Sequence, residues 1–382
     1  MMRNTYPSPQ QILSDLVALP CLPGQPNAAI ADAITARLQG FGLHVHRIPG
    51  PEGDRVNLFA SIGPLDQPGI VLSGHMDVVP VAGQSWTGDP FRLTPRDGRL
   101  YGRGTTDMKG FVACMIAAVP LFQRAGLRRP VHLALSYDEE IGCRGVPHLI
   151  AALPGLCALP AGCIVGEPSG MQPVLSHKGK LAVEVALTGR AAHSSDPAAG
   201  VNALYAAASL AQRVQQAAEA LSRHGQRDAR FAPDHSTLVA CVLRAGTAVN
   251  IIPDHATLAM EVRTIPGERA DSVMDPVLAA AEALVAAGAA LSHSVTELAR
   301  YPALPPEAQS LAAQLATWTG QSPRQSVSYG TEAGLFHAAG IPSVICGPGD
   351  IARAHRPDEY ITGPELDACM AMMARLAAEL SQ

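Results

Sequence analysis

The chain has little of what several protein classes depend on. Aromatic residues are only 4% of its 382 residues, and nothing in the composition favours a nucleic-acid partner. Charged residues make up 16% with a formal net charge of -5, the opposite of the basic excess that a phosphate backbone demands. No apolar run reaches about 18 residues. The longest candidate, Phe111 to Phe122, is short and contains Pro120, which suits a buried helix and not a membrane span. The opening MMRNTYPSPQQ has no apolar leader core, so a cytoplasmic protein is expected. No CxxC pair occurs among the 8 cysteines, which argues against a disulfide framework or a thiolate zinc site and leaves reduced, mostly structural thiols. No GxSxG elbow is present either, so a nucleophilic serine has no context. Any metal must therefore be held by His, Asp and Glu.

What is present is a 47% apolar chain too long for one ordinary core, so two globular domains are expected. After an N-terminal helical stretch, the runs Leu43 to Ile48, Val56 to Ile62, Gly69 to Ser73 and Val131 to Ser136 read as strands. Gly110 to Ala125 reads as a helix between the last two. Fully apolar strands alternating with helices imply an α/β domain with a mostly parallel sheet covered on both faces. From Leu181 the texture changes to alternating strands and helices in the order strand, helix, strand, strand, helix, strand, a split βαβ or ferredoxin-like α+β unit. This reads as a domain inserted over 179–296, with a discontinuous first domain over 1–178 and 297–382.

Candidate chemistry gathers at the strand ends, where ligands of parallel sheets bind. His75 and Asp77 follow the strand GIVLS, and an acid two residues on can take the second N–H of a ligating imidazole. Asp107 stands in YGRGTTDMKG at the start of a helix; standing alone it would read as a helix cap, but it does not stand alone. Glu139 and Glu140 end VHLALSYD, an adjacent pair that can divide proton transfer and ligation between them. Glu167 ends the apolar segment from Cys163, and His355 lies in a Gly- and Pro-rich loop beyond SVIC. Two imidazoles and three carboxylates can hold two divalent ions, and the mixed nitrogen and oxygen set suits zinc, with cobalt or manganese as alternatives.

SGHMDVVP, YGRGTTDMKG, SYDEE, GEPS and AHRPDEY, in this order over nearly the whole chain, resemble the signatures of the M20 metallopeptidases. The resemblance implies that His75 and Glu167 complete one metal site, Glu140 and His355 the other, and that Asp107 bridges them. It implies Asp77 as the partner of His75, Glu139 as general base and a cis peptide bond after Asp107. It implies further that the inserted domain is a lid and dimerisation domain of a homodimer. There His193 in GRAAHSS would donate to the oxyanion in the partner's site, and Asn250 and Arg263 would contact the substrate. HKGK, YGTEAG and GPGDIARAHRPDEY are most similar to the family's deacetylases of an acetylated diamino acid, while GEPS stands where relatives more often have GEPT. In that branch Thr331 and Glu332 of YGTEAG would line the substrate pocket, Glu332 meeting a side-chain ammonium; its other reading is an acid at the start of the following helix. The implied substrate is a small N-acyl amino acid, with neither nucleic acid nor membrane as partner. A desuccinylase, a carboxypeptidase, a general aminoacylase and a non-catalytic binding relative remain as alternatives.

Overall fold

Apolar runs that helices separate along the chain become neighbours in one sheet, because a strand without a polar face is stable only when covered on both sides. The computed structural model describes residues 6–382, so the first five residues of the stretch read for a leader lie outside it. The chain forms two compact units. The first takes the residues up to Ser176 with Pro306–Gln325 and Thr331–Gln382, and the second is His177–Pro305 with Ser326–Gly330.

In the first unit, β1 (Val45–Pro49), β2 (Val56–Ile62), β3 (Ile70–His75), β6 (Val131–Ser136), β7 (Gly162–Pro168) and β12 (Ser343–Gly347) form a sheet in the order β1-β2-β6-β3-β7-β12. The four strands β6, β3, β7 and β12 are parallel, while β1 and β2 run antiparallel to their neighbours. A hairpin of β4 (Thr94–Arg96) and β5 (Arg99–Tyr101) is extended by β13 (Tyr360–Thr362). The helices are α1 (Pro9–Val17), α2 (Ala28–Gly40), α3 (Lys109–Ala125), α4 (Val146–Ala152), α7 (Gln309–Thr319), α8 (Ala333–Ala338) and α9 (Gly363–Leu380).

Local chemistry sets the helix ends. Capping boxes of Ser8 with Gln11 and Thr362 with Glu365 start α1 and α9, and Gly126 stops α3 in the left-handed region. Lys109, wholly buried, donates its Nζ to the carbonyls of Leu16 and Leu19 at 3.0 and 2.9 Å. It thereby closes the carboxyl end of α1, and burial pulls its ammonium down to about 8. Successive strand residues face opposite ways, so Gly74 of β3 meets Val112 and Met115 of α3 while Ser73 faces the segment that leads into α8.

The second unit contains β8 (Gly179–Thr188), α5 (Ala203–His224), β9 (Thr237–Ala245), β10 (His255–Thr264), α6 (Ala270–Ala286) and β11 (Ser292–Tyr301). Its sheet, ordered β11-β8-β10-β9, is antiparallel throughout. Leu181, Val183, Val185 and Leu187 of β8 share a core with Ala206 and Leu210 of α5 and with Met274 and Val277 of α6. The expected domain limit at 296 falls inside β11, whose pairing with β8 continues to Tyr301; the second unit therefore runs on to Pro305. Among the described residues no helix is long and apolar enough to cross a membrane.

Gly166 of β7 has no room for a side chain, since a Cβ there would stand 2.0 Å from the Phe111 ring of α3. Gly166→Ala should cost about 1–3 kcal/mol through overpacking. Gly40→Ala, at the end of α2 with nothing within 4 Å, should cost nothing. Urea unfolding midpoints of the two variants check the contrast.

Candidate metal centre

The carboxyl ends of β6, β3 and β7, together with the loop beyond β12, bring the expected residues into one cluster. His75 is the last residue of β3, Glu167 is the penultimate residue of β7, and Glu139 and Glu140 follow β6. Asp107 immediately precedes the cap of α3; that cap is Met108, so the Asp107 carboxylate is not spent on the helix. The Asp107–Met108 peptide is cis. His355 comes from the loop after β12 with a positive φ of 63° and is the exposed member of the group.

Asp107 stands at the centre. Its Oδ1 lies 3.1 Å from His75 Nε2 and its Oδ2 lies 3.2 Å from His355 Nε2, so each oxygen has its own imidazole. His75 Nε2 is also 3.6 Å from Glu167, and His355 Nε2 is 3.0 Å from Glu140. Two groups place all their ligand atoms within 4.8 Å of one another: His75 with Glu139 and Glu167, and His75 with Asp107 and Glu140.

So many buried acids oppose one another's ionisation. Burial, with the other carboxylates adding, pushes Glu139 up to about 8, Glu140 up to about 7 and Glu167 well above the usual range. Burial would raise Asp107 as well, but its hydrogen bonds to His355 and His75 hold it below the usual range. The same contacts with Asp107 and Glu140 lift His355 to about 10. Glu140 Oε1 is buried and has no hydrogen-bond partner, an unfilled acceptor directed at no protein donor. The set of two imidazoles and four carboxylates therefore fits divalent cations, which would replace the protons that it otherwise holds.

Asp77 is bound differently from the expectation. His75 Nδ1 meets the main-chain oxygen of Asp77 at 2.9 Å, and the carboxylate is 3.7 Å away, beyond hydrogen-bonding range. Both carboxylate oxygens are engaged elsewhere, each accepting an N–H at 3.1 Å, one from Glu139 and one from Glu140. Asp77 thus fixes the Glu139–Glu140 pair by its side chain and the imidazole by its backbone.

Thr331 and Glu332 also depart from expectation. Thr331 is buried and its Oγ1 accepts from Ala333 N, closing the start of α8. Glu332, 1% exposed, accepts from Ser73 Oγ at 3.0 Å on the inner face of the sheet, and burial raises it to about 7. It makes no side-chain cap to α8. A lone hydroxyl inside the apolar run GIVLS is the sequence signal for this buried partner.

In the second unit, His193 is exposed and its Nδ1 accepts from Ser195 N at 3.1 Å. Asn250 is exposed, and Arg263 is held by Glu261 at 2.6 Å and by the Tyr301 hydroxyl at 2.7 Å.

A family model described as Peptidase family M20/M25/M40 matches residues 71–379. A protein of Myxococcus xanthus named acetylornithine deacetylase is 33% identical, covering 99% of this chain and 98% of its own. One of the same name from Proteus mirabilis is 30% identical, covering 98% and 97%. Among solved structures, an M20 family metallo-carboxypeptidase from Sulfolobus solfataricus superposes with a TM-score of 0.78 at 19% identity, covering 98% of this chain and 99% of that one.

Because Glu140 titrates near 7 and His355 near 10 without a cation, binding one must release protons. Apparent zinc affinity should rise from about pH 6 to about pH 9, as the groups that must lose protons do so more readily. Calorimetry in buffers of different ionisation heat counts the protons; pH-independent binding without release would place the ion elsewhere.

Proposed function

We propose that this chain, which belongs to peptidase family M20/M25/M40, hydrolyses N-acetyl-L-ornithine to acetate and L-ornithine, a step serving arginine biosynthesis. The observation that carries the reading is Asp107, one oxygen facing His75 and the other His355, the arrangement of an acid shared between two ions. The names of its full-length relatives support the substrate.

In this reading His75 and Glu167 would hold one divalent ion and Glu140 and His355 the other, with Asp107 shared between them. Zinc is favoured, with cobalt or manganese as alternatives. When bound, the ions acidify a water at the site and polarise the acyl carbonyl. Glu139 then takes the proton of the attacking water and delivers it to the leaving amine. Its carboxylate lies within 4.8 Å of the ligand atoms of His75 and Glu167, close enough to reach a water held there. Asp77 holds Glu139 in place through the amide at 3.1 Å.

His193 supplies its Nε2–H to the developing oxyanion from a second copy of the chain. The homodimer forms through the inserted unit, whose edge strand β9 exposes Val239, Val242 and Leu243. Arg263, steadied by Glu261 and Tyr301, binds the α-carboxylate together with Asn250.

Glu139→Gln should keep its metal and lose about 10²–10⁴ in turnover, since the amide cannot accept the proton. Glu140→Gln should instead lose metal. Elemental analysis beside kcat separates the two, and reversed metal contents would reverse the roles.

For specificity, the metal-stripped and zinc- or cobalt-reconstituted chain should be assayed on N-acetylornithine, a succinylated diamino acid and N-acetylmethionine. The largest kcat/KM is expected on N-acetylornithine, with activity disappearing on stripping. Preference for the succinylated substrate would make the chain a desuccinylase, and turnover that survives stripping would remove the ions from the reaction.

A further inference from the structure

Glu359 takes no part in the chemistry above, yet its surroundings are built around it. It is 1% exposed, and its carboxylate accepts four bonds. Oε1 accepts from Thr106 N at 2.8 Å and Asp107 N at 3.1 Å; Oε2 accepts from Gly104 N at 3.1 Å and from Arg103 Nη1 at 2.7 Å. Three main-chain amides of one short loop thus converge on a single carboxylate, a nest that selects for an anion.

The contact does not stop at the side chain. Gly102 N donates to the Glu359 main-chain oxygen at 2.9 Å, and the Thr106 hydroxyl donates to Tyr360 O at 2.6 Å. Arg103 Nη1 also reaches Arg356 O at 3.3 Å. The pairing of β5 with β13, which matches Tyr101 with Tyr360, continues directly into this set. Residues 102–107 are therefore laid along residues 356–360, and His355 is the next residue of that same segment. One piece of chain delivers His355 and, through Glu359, grips the backbone of Asp107.

We propose that Glu359 is a positioning residue for Asp107, holding the main chain from Gly104 to Asp107 in register with His355 so that each oxygen of Asp107 keeps its own imidazole. This rests on the reading of Asp107 as the acid shared by two ions. The role requires a carboxylate, because a glutamine would turn an NH2 donor toward amide donors and leave part of the nest unfilled. A buried ion pair that served the fold alone would depend on Arg103 as much as on Glu359.

The test uses the full chain and zinc. Glu359→Gln should bind zinc about 10–100-fold more weakly by chelator competition, with kcat reduced and KM nearly unchanged. Arg103→Lys keeps all three amide bonds and should stay within about threefold of wild-type zinc affinity. Equal losses in the two variants, or lower thermal stability with zinc affinity intact, would overturn the proposal in favour of a structural ion pair. Hydrogen exchange on the wild type, read on peptides spanning 102–108, needs no variant to fold. The Thr106 and Asp107 amides should stay protected after zinc is stripped; fast exchange that zinc alone suppresses would show that the metal, and not Glu359, holds them. A wild-type chain that takes up no zinc while those amides remain protected would overturn the two-ion reading and leave the grip of Glu359 on the loop established.

Discussion

Everything around the cluster follows from one constraint: Asp107 lies between two imidazoles in a buried space that also holds Glu139, Glu140 and Glu167. Acids so close and so poorly solvated cannot all ionise, and burial accordingly drives three of them upward while the histidines hold Asp107 down. A cation resolves the conflict by compensating the charge that burial penalises. The same crowding that makes the ion-free cluster a proton store makes it a receptor for divalent metal.

Such a cluster persists only if the chain is prevented from relaxing away from it, and the molecule uses one device repeatedly. A buried carboxylate accepts successive backbone amides beside a residue of the cluster: Asp77 takes those of Glu139 and Glu140, and Glu359 takes those of Thr106 and Asp107. Asp138, with a positive φ of 54°, accepts from Gly24 N at 2.8 Å and pairs with Arg55, which anchors the Glu139 loop from its other side. Charge-assisted bonds to the main chain fix the position of a side chain without using its own polar atoms. The sheet contributes in the same sense, since four adjacent parallel strands supply three rigid ends and one loop from which the side chains project.

Much of this was legible in the amino-acid order. Apolar runs without a polar face announced buried parallel strands, and GIVLS, VHLALS and SVIC became β3, β6 and β12. The shift to alternation after Leu181 announced the βαββαβ unit, but nothing in residues 297–301 marks where pairing with β8 ceases, and nothing local marks Ser326–Gly330 as part of the same unit. The positions of His75, Asp107, Glu140, Glu167 and His355 at strand ends and a helix start were readable from where polar residues interrupt apolar runs. The family followed from the order of five motifs.

What the sequence by itself determined is therefore the periodic and the local: which segments become strands, which face of each is apolar, and which acids and histidines stand at their ends. Only the tertiary structure decided the partners. Asp77 and His75 lie two residues apart, yet the carboxylate accepts amides more than sixty residues away, and the Asp77 main-chain oxygen meets the imidazole instead. Glu332 stands in a loop motif that reads as pocket-lining, but the packing of α8 directs it inward to Ser73. Glu359 sits in a motif beside His355, and its bond to Asp107 N spans 252 positions. A side-chain hydrogen bond depends on distances in space, and spacing along the chain limits those distances only within a strand or a turn of helix.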